Sequence, residues 1–108
     1  MKSGKMHNLK FGDIILTELH FVDLNQSKKR PALVLFEEKS NIIVIGITSN
    51  TAMKGIPLLK KEGALVDSII KTNYIFTIDK SEVIKKLFSI SDKKKKIICK
   101  GLNQLIGC

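Results

Sequence analysis

The sequence is poor in arginine, aromatic residues, cysteine and long apolar runs. Its two cysteines, Cys99 and Cys108, stand in no pairing motif, which excludes a disulfide-stapled secreted scaffold and a zinc ribbon. No apolar run approaches the roughly 18 to 20 residues that a transmembrane helix needs. The opening MKSGKMHNLK lacks the apolar stretch of a signal peptide. We therefore expect a cytoplasmic protein without a membrane-bound part.

Basic residues are what the sequence has in excess. Its 108 residues leave room for one domain, and 19 basic residues against 10 acidic ones give a net charge of +9. All the basic residues except Arg30 are lysines, and eight of them lie in residues 80–100, against two acids. Such a surplus calls for an anionic partner, although lysine also serves simply to keep a surface soluble.

Short apolar runs followed by helical patterns predict an α+β chain with its sheet first. Runs rich in isoleucine, leucine and valine predict short strands, at 13–21, 31–36, 42–48, 56–59, 68–71 and 74–78. Strands about ten residues apart are typical of a small barrel. The spacing of apolar residues predicts a helix over 81–88, capped by Ser81, and a last helix from Ser91 or Asp92 to about Ile106. We expect residues 1–10 to be a flexible basic tail and 11–108 a single domain.

The common catalytic and metal-binding motifs are missing. There is no GxxxxGK[ST], HExxH, CxxC or GxSxG segment, so nucleotide hydrolysis, zinc chemistry and a hydrolase elbow have no support. His7 and His20 have no partner at metal-ligand spacing, and we expect neither a metal nor a cofactor. Cys99 lies near the apolar face of the last predicted helix, which predicts a buried, inert thiol.

Two polar groups stand at the end of a predicted hairpin. Arg30 follows two lysines just before a strand-opening proline, and Thr48 begins the segment Thr-Ser-Asn directly after an apolar strand. Antiparallel pairing across a short connection places residue 31 near residue 47, so Arg30 and Thr48 face each other. A guanidinium fork beside hydroxyl groups can bind a phosphate. Ordinary turn chemistry also accounts for such polar residues, so both interpretations stay open here.

The order of these segments resembles the PemK/MazF family of toxin endoribonucleases, and its PemK-like branch in particular. The likeness runs from Phe11 to Ile106 and rests on GDIILTELHFVDLNQSKKRPALVL, VIGITSN, GIPL, DSIIKTNYIFTIDKSEVIKKL and the final amphipathic helix. It implies an SH3-like barrel of five to seven short strands with C-terminal helices, as in CcdB, PemK and MazF. It also implies a homodimer that cleaves single-stranded mRNA without a metal and is restrained by a cognate acidic antitoxin.

The resemblance also implies roles for individual residues. Arg30 and Thr48, with Ser49 beside them, occupy the catalytic positions, where attack by the RNA 2′-hydroxyl needs a stabilised and oriented phosphate. The expected RNA contacts are Lys28, Lys29, Asn50, Lys71 and Asn73. Some members carry a basic residue and an acid where this chain has Lys71 and Asn73, and asparagine cannot act as a base. The candidate general bases are therefore Asp13, His20, Asp23 and Asp79.

Two other functions remain open. A toxin of the same barrel, similar to the CcdB type, would poison DNA gyrase through its C-terminal helix and would not need Arg30. A non-catalytic basic barrel would bind single-stranded RNA through stacking aromatic residues. The chain has six aromatic residues, and most of them stand in apolar runs.

Overall fold

The computed structural model describes residues 8–21 and 26–107. Over these residues the chain forms one curled antiparallel sheet and a C-terminal α-helix. The elements are β1 (Asp13–Phe21), β2 (Gln26–Glu38), β3 (Asn41–Thr48), β4 (Ile56–Leu58), β5 (Ser68–Asp79), β6 (Val83–Ser89) and α1 (Asp92–Ile106). The strand order is β4-β5-β3-β2-β1-β6. This half-barrel with a terminal helix confirms the predicted α+β, SH3-like class. In the described part of the chain, no helix is long and apolar enough to cross a membrane.

Both faces of the sheet are buried, which explains why its strands read as nearly continuous apolar runs. Successive side chains of a strand point to opposite faces, and the neighbours Ile14 and Ile15 accordingly belong to two different core clusters. The Ile15 cluster includes Val34 and Val44. The Ile14 cluster includes Ile98 of α1, so the helix covers that face.

The predicted helix over 81–88 is wrong, because this segment forms strand β6 along β1. Two β-bulges interrupt the pairing, so that Ile14 pairs with Phe88 while Ile15 pairs with Lys86. Each bulge adds an unpaired residue and changes the spacing of the apolar side chains, which therefore imitates a helical period. The expected cap at Ser81 is also wrong, since the Asp79 side chain accepts a hydrogen bond from the Ser81 N–H and caps a 3-10 turn.

Several predicted strand boundaries move outward in the structure. The segments 68–71 and 74–78 are one continuous strand, β5, and β2 begins at Gln26, five residues before the predicted strand 31–36. Between the predicted strands 56–59 and 68–71 the chain forms a short 3-10 turn, Lys60–Glu62. Of the predicted tail, residues 1–7 lie outside the described residues, whereas Leu9 is buried in the core.

The last helix begins and ends where the sequence predicts, but the side that it turns toward the core differs. Ser91 caps α1 by accepting a hydrogen bond from the Lys94 N–H. The helix turns Ile98 into the core, with Leu102 packed against the same cluster. Cys99, about 100° further round the helix, is therefore exposed, and the prediction of a buried thiol is wrong.

Candidate functional site

The pairing of β2 with β3 ends close to Arg30 and Thr48. The ladder runs as far as Ala32 opposite Gly46, in the register that the sequence predicts. It stops beside Pro31, whose nitrogen has no hydrogen to donate. Beyond this point β2 and β3 each stay paired with the strand on their other side. Arg30 lies opposite Thr17 on β1, and Thr48 lies opposite Ile69 on β5. Arg30 and Thr48 thus stand at the same open end of the hairpin, each two positions past the last bridged pair.

The two residues also share one face of the sheet. Arg30 lies two positions from Ala32, and Thr48 lies four positions from Val44; both of these apolar residues belong to the same core cluster. Because alternate side chains lie on one face, Arg30 and Thr48 lie on the Ala32–Val44 face of their strands. Arg30 and Thr48 therefore share one face and one end of the hairpin.

A pocket of about 220 Å³ opens at this end of the sheet, against the opposite face that carries the Ile14 cluster; Arg30 lines it and Thr48 does not. Its polar lining consists of Lys29, Arg30, Ser49 and Ser68. The remaining lining is apolar and comes from six parts of the chain: Ile14, Leu16, Pro31, Ile47, Leu58, Ala64, Leu65, Val66, Leu87 and Phe88. A cationic, hydroxyl-bearing wall beside an apolar wall suits a ligand that carries a phosphate and a flat apolar group.

The β3–β4 loop (residues 49–55) is ordered by its own hydrogen bonds. The Thr48 hydroxyl accepts from the Asn50 N–H at 3.1 Å, and the Asn50 side chain accepts from the Ala52 N–H at 3.1 Å. The Met53 N–H then donates to the Asn50 carbonyl at 3.1 Å. These turns keep Ser49 and Asn50 exposed next to the pocket.

The predicted RNA contacts separate into two groups. Lys29 lines the pocket and is exposed, while Lys28 is half-buried one residue earlier on β2. Asn73 is exposed on β5. Lys71, in contrast, is only 8% exposed, and its ammonium donates to the Lys54 carbonyl at 2.9 Å. The prediction that Lys71 presents its charge to RNA therefore conflicts with its burial.

Asp13 is not at the pocket, although the sequence names it as a candidate base. Its carboxylate is 1% exposed and accepts from the Ser89 hydroxyl at 2.7 Å and from the Lys10 N–H at 3.0 Å. Burial pushes its pKa up, but these hydrogen bonds and the Lys86 ammonium 3.4 Å away outweigh burial and lower the pKa. Such a carboxylate stabilises the start of β1.

The structure also places Asp79 away from the pocket. It lies opposite Asn41 at one end of β5, whereas Ile69 at the other end pairs with Thr48. Hydrogen bonds from Ser81 lower its pKa. His20 lies on β1 opposite Ser27, three positions beyond the Thr17–Arg30 pair, and Asp23 lies outside the described residues. Among the described residues, no group of three histidine, cysteine or acidic residues is arranged to hold a metal ion.

The apolar wall of the pocket is what the sequence did not reveal. The sequence predicts a helix for Leu87 and Phe88 and no strand or helix for Ala64, Leu65 and Val66, although both segments line the pocket. The exposure of Leu65, 82%, and of Val66, 52%, is high for residues of this type. The only signal in the sequence is that a turn contains three adjacent apolar residues.

Comparisons with known proteins agree with this architecture. Residues 10–106 match the family described as PemK-like, MazF-like toxin of type II toxin-antitoxin system. A mycobacterial endoribonuclease solved in complex with its cognate antitoxin superposes with a TM-score of 0.74 at 14% identity, over 94% of this chain and 96% of that one. The Mycobacterium tuberculosis toxin MazF-mt6 superposes with a TM-score of 0.71 at 18% identity, over 88% and 96%. Among curated protein sequences, none matches. The family match covers nearly the whole chain, and the chain therefore belongs to the PemK-like, MazF-like toxins of type II toxin-antitoxin systems.

Proposed function

We propose that this protein is an endoribonuclease toxin that cleaves single-stranded mRNA in the cytoplasm without a metal. The observation that carries the proposal is the position of Arg30 and Thr48, on one face and at one open end of the β2–β3 hairpin. Arg30 and Ser49 also line the pocket at this end of the sheet. The family match supports the same activity.

In this reaction the RNA 2′-oxygen attacks the adjacent phosphorus, and the bond to the 5′-oxygen breaks. Negative charge accumulates on the phosphate, where the planar, permanently charged guanidinium of Arg30 can donate two parallel hydrogen bonds. Thr48 orients a non-bridging oxygen. Arg30 also donates a hydrogen bond to the departing 5′-oxygen, which takes its proton from solvent, and Ser49 and Asn50 hold the phosphate from the loop side.

A general base must take the proton of the 2′-hydroxyl. Asp13 and Asp79 lie away from the pocket, and a buried carboxylate engaged by several donors makes a poor base. We assign this role to His20, because β1 carries it toward the Arg30 end of the sheet and because histidine is the side chain that most often serves as a general base. Asp23, close to His20 in the sequence, is the second candidate.

We also propose a cognate antitoxin with an acidic segment, and a homodimer as the active form. A mycobacterial structural neighbour is an endoribonuclease in complex with its cognate antitoxin. The net charge of +9 favours an acidic inhibitor that competes with RNA for the lysines near the pocket, such as Lys29.

One experiment tests the nuclease and its site together. A long single-stranded RNA is incubated in EDTA with the wild-type protein, with Arg30→Ala and with Lys93→Ala, in which an exposed cation of α1 is removed. We expect cleavage by the wild type and by Lys93→Ala, and none by Arg30→Ala. RNA left intact by the wild type would overturn the nuclease proposal. A DNA gyrase supercoiling assay would then test the alternative of a gyrase poison. Equal cleavage by all three proteins would overturn the assignment of Arg30.

A further inference from the structure

The loop that carries the proposed phosphate-binding groups is held at both ends by one short part of β5. Thr48, just before the β3–β4 loop, pairs with Ile69, and Ile56, just after it, pairs with Ile70. Gly55 approaches this part of β5 so closely that a Cβ atom there would lie 2.5 Å from the Ile70 carbonyl oxygen. The returning end of the loop is thus pressed against β5.

Lys71, the next residue of β5 after Ile70, also binds the returning end of the loop. Its ammonium donates to the Lys54 carbonyl at 2.9 Å and lies 5.2 Å from the centroid of the Tyr74 ring. A buried ammonium is costly unless its charge is compensated, and a carbonyl with an aromatic face supplies part of that compensation. An RNA phosphate would have to displace these partners before it could reach the ammonium.

We propose that Lys71 is a positioning residue, which fixes the β3–β4 loop through Lys54 and thereby sets the geometry of Thr48, Ser49 and Asn50. This inference rests on the proposed nuclease function and assigns Lys71 a role in it other than phosphate contact. A preorganised loop aligns the hydroxyl of Thr48 with the reacting phosphate before RNA arrives, and such alignment acts on the rate of the chemical step.

The test compares Lys71→Met, which removes the charge but keeps the length, with Lys71→Arg, which keeps a donor. Lys93→Met serves as a control for the loss of one exposed cation, and Lys29→Met as an example of a lost phosphate contact. Three quantities are measured: hydrogen exchange of the loop amides, kcat and KM for RNA cleavage, and the salt dependence of RNA affinity.

We expect Lys71→Met to accelerate exchange of the Ala52 and Met53 amides at least tenfold while the β3–β5 ladder stays protected. Its kcat should fall about tenfold or more with little change in KM, and the salt slope of binding should stay that of the wild type. Lys71→Arg should restore part of the loop protection. Lys29→Met should instead reduce the salt slope by about one, and Lys93→Met should leave loop exchange and kcat unchanged.

Two results would overturn the inference. A salt slope reduced by about one in Lys71→Met, with unchanged loop exchange, would make Lys71 a phosphate contact. Equal acceleration of exchange in the loop and in the β3–β5 ladder, in both Lys71 variants, would mean that Lys71 supports the sheet as a whole. If the wild-type protein cleaves no RNA, the proposed function fails, but loop exchange still decides whether Lys71 anchors the loop.

Discussion

The hydroxyl of Thr48 accepts a hydrogen bond from the backbone N–H of Asn50, with a distance of 3.1 Å between the two heavy atoms. A hydroxyl that accepts in this way still has its own proton to donate. The backbone of the loop therefore fixes the oxygen and leaves the proton for an incoming phosphate oxygen. In the proposed reaction, this double use favours threonine or serine at the position over an aliphatic side chain.

Replacement of Thr48 by valine should lower the rate of RNA cleavage without abolishing RNA binding. The variant keeps the shape and the β-branch but loses the donor and the acceptor, and loss of one transition-state donor costs about 100- to 1,000-fold in kcat. Thr48→Ser keeps the hydroxyl and should stay within about tenfold of the wild type. Single-turnover cleavage rates at saturating protein measure both. A valine variant as fast as the serine variant would show that the hydroxyl takes no part.

Replacement of Arg30 by lysine should fail to preserve activity, although the charge is retained. An ammonium cannot make the two parallel hydrogen bonds of a guanidinium, so we expect kcat to fall by about 100-fold or more with little loss of RNA affinity. The matched control is Lys29→Arg, one residue earlier in the same pocket lining, which should retain nearly full activity. Cleavage rates and binding titrations at one salt concentration separate the two effects, and full activity of Arg30→Lys would contradict the prediction.

The convergence of Arg30 and Thr48 could be read from the sequence because it depends on local rules. The apolar strands 31–36 and 42–48 share a short connection, which predicts the pairing of Ala32 with Gly46. The structure reaches this pairing through a bulge between Val34 and Phe36 that shifts the register by one residue and that the sequence did not show. Because alternate side chains of a β-strand lie on the same face, this register puts Thr48 on the face of Arg30.

Features that depend on distant segments could not be read in this way. The β6 segment has apolar spacing that fits a helix, and it becomes a strand because β1 offers it a free edge, with two bulges that absorb the mismatch. Lys71 looks like any surface lysine until the loop residue Lys54 is placed beside it. The pocket wall formed by Leu87 and Phe88 likewise exists only once β6 is placed correctly.

Replacement of Asp13 by asparagine should destabilise the protein at neutral pH and much less in acid. The pKa of Asp13 lies below its ordinary value of 3.8 in the folded protein, so its ionised form stabilises the fold at higher pH. This contribution is complete above the unfolded pKa and disappears as the pH falls through the folded pKa. Loss of charge-assisted hydrogen bonds at a buried carboxylate costs about 1–3 kcal/mol.

Urea unfolding of wild type and Asp13→Asn, from pH 7 downward, measures this difference. The gap between the two free energies of unfolding should be constant at neutral pH and should shrink below about pH 4. The pKa of Asp79 is also lowered, but Asp79 is present in both proteins and its effect cancels. Ser89→Ala, which removes one donor to Asp13, should show a smaller gap that shrinks in the same range. A gap that does not depend on pH would contradict the assignment.

The four consecutive lysines at the start of α1 should differ in their effects on stability. Cations near a helix N-terminus are unfavourable to the dipole, yet the Lys94 ammonium is held 3.1 Å from Glu62 and donates to the Pro57 carbonyl at 2.7 Å. Its side chain is 15% exposed, so it fastens the helix to β4 and to the 3-10 turn.

Lys94→Met should therefore lower the free energy of unfolding by about 1 kcal/mol, because a partly buried ion pair and a hydrogen bond are lost together. Lys93→Met removes the same charge from an exposed position and should be neutral or slightly stabilising, since it relieves repulsion at the positive end of the dipole. Urea denaturation of both variants at low and high salt measures the difference. Equal effects of the two substitutions would show that only the total charge of the run matters, and that the Glu62 and Pro57 contacts add nothing to the docking of the helix.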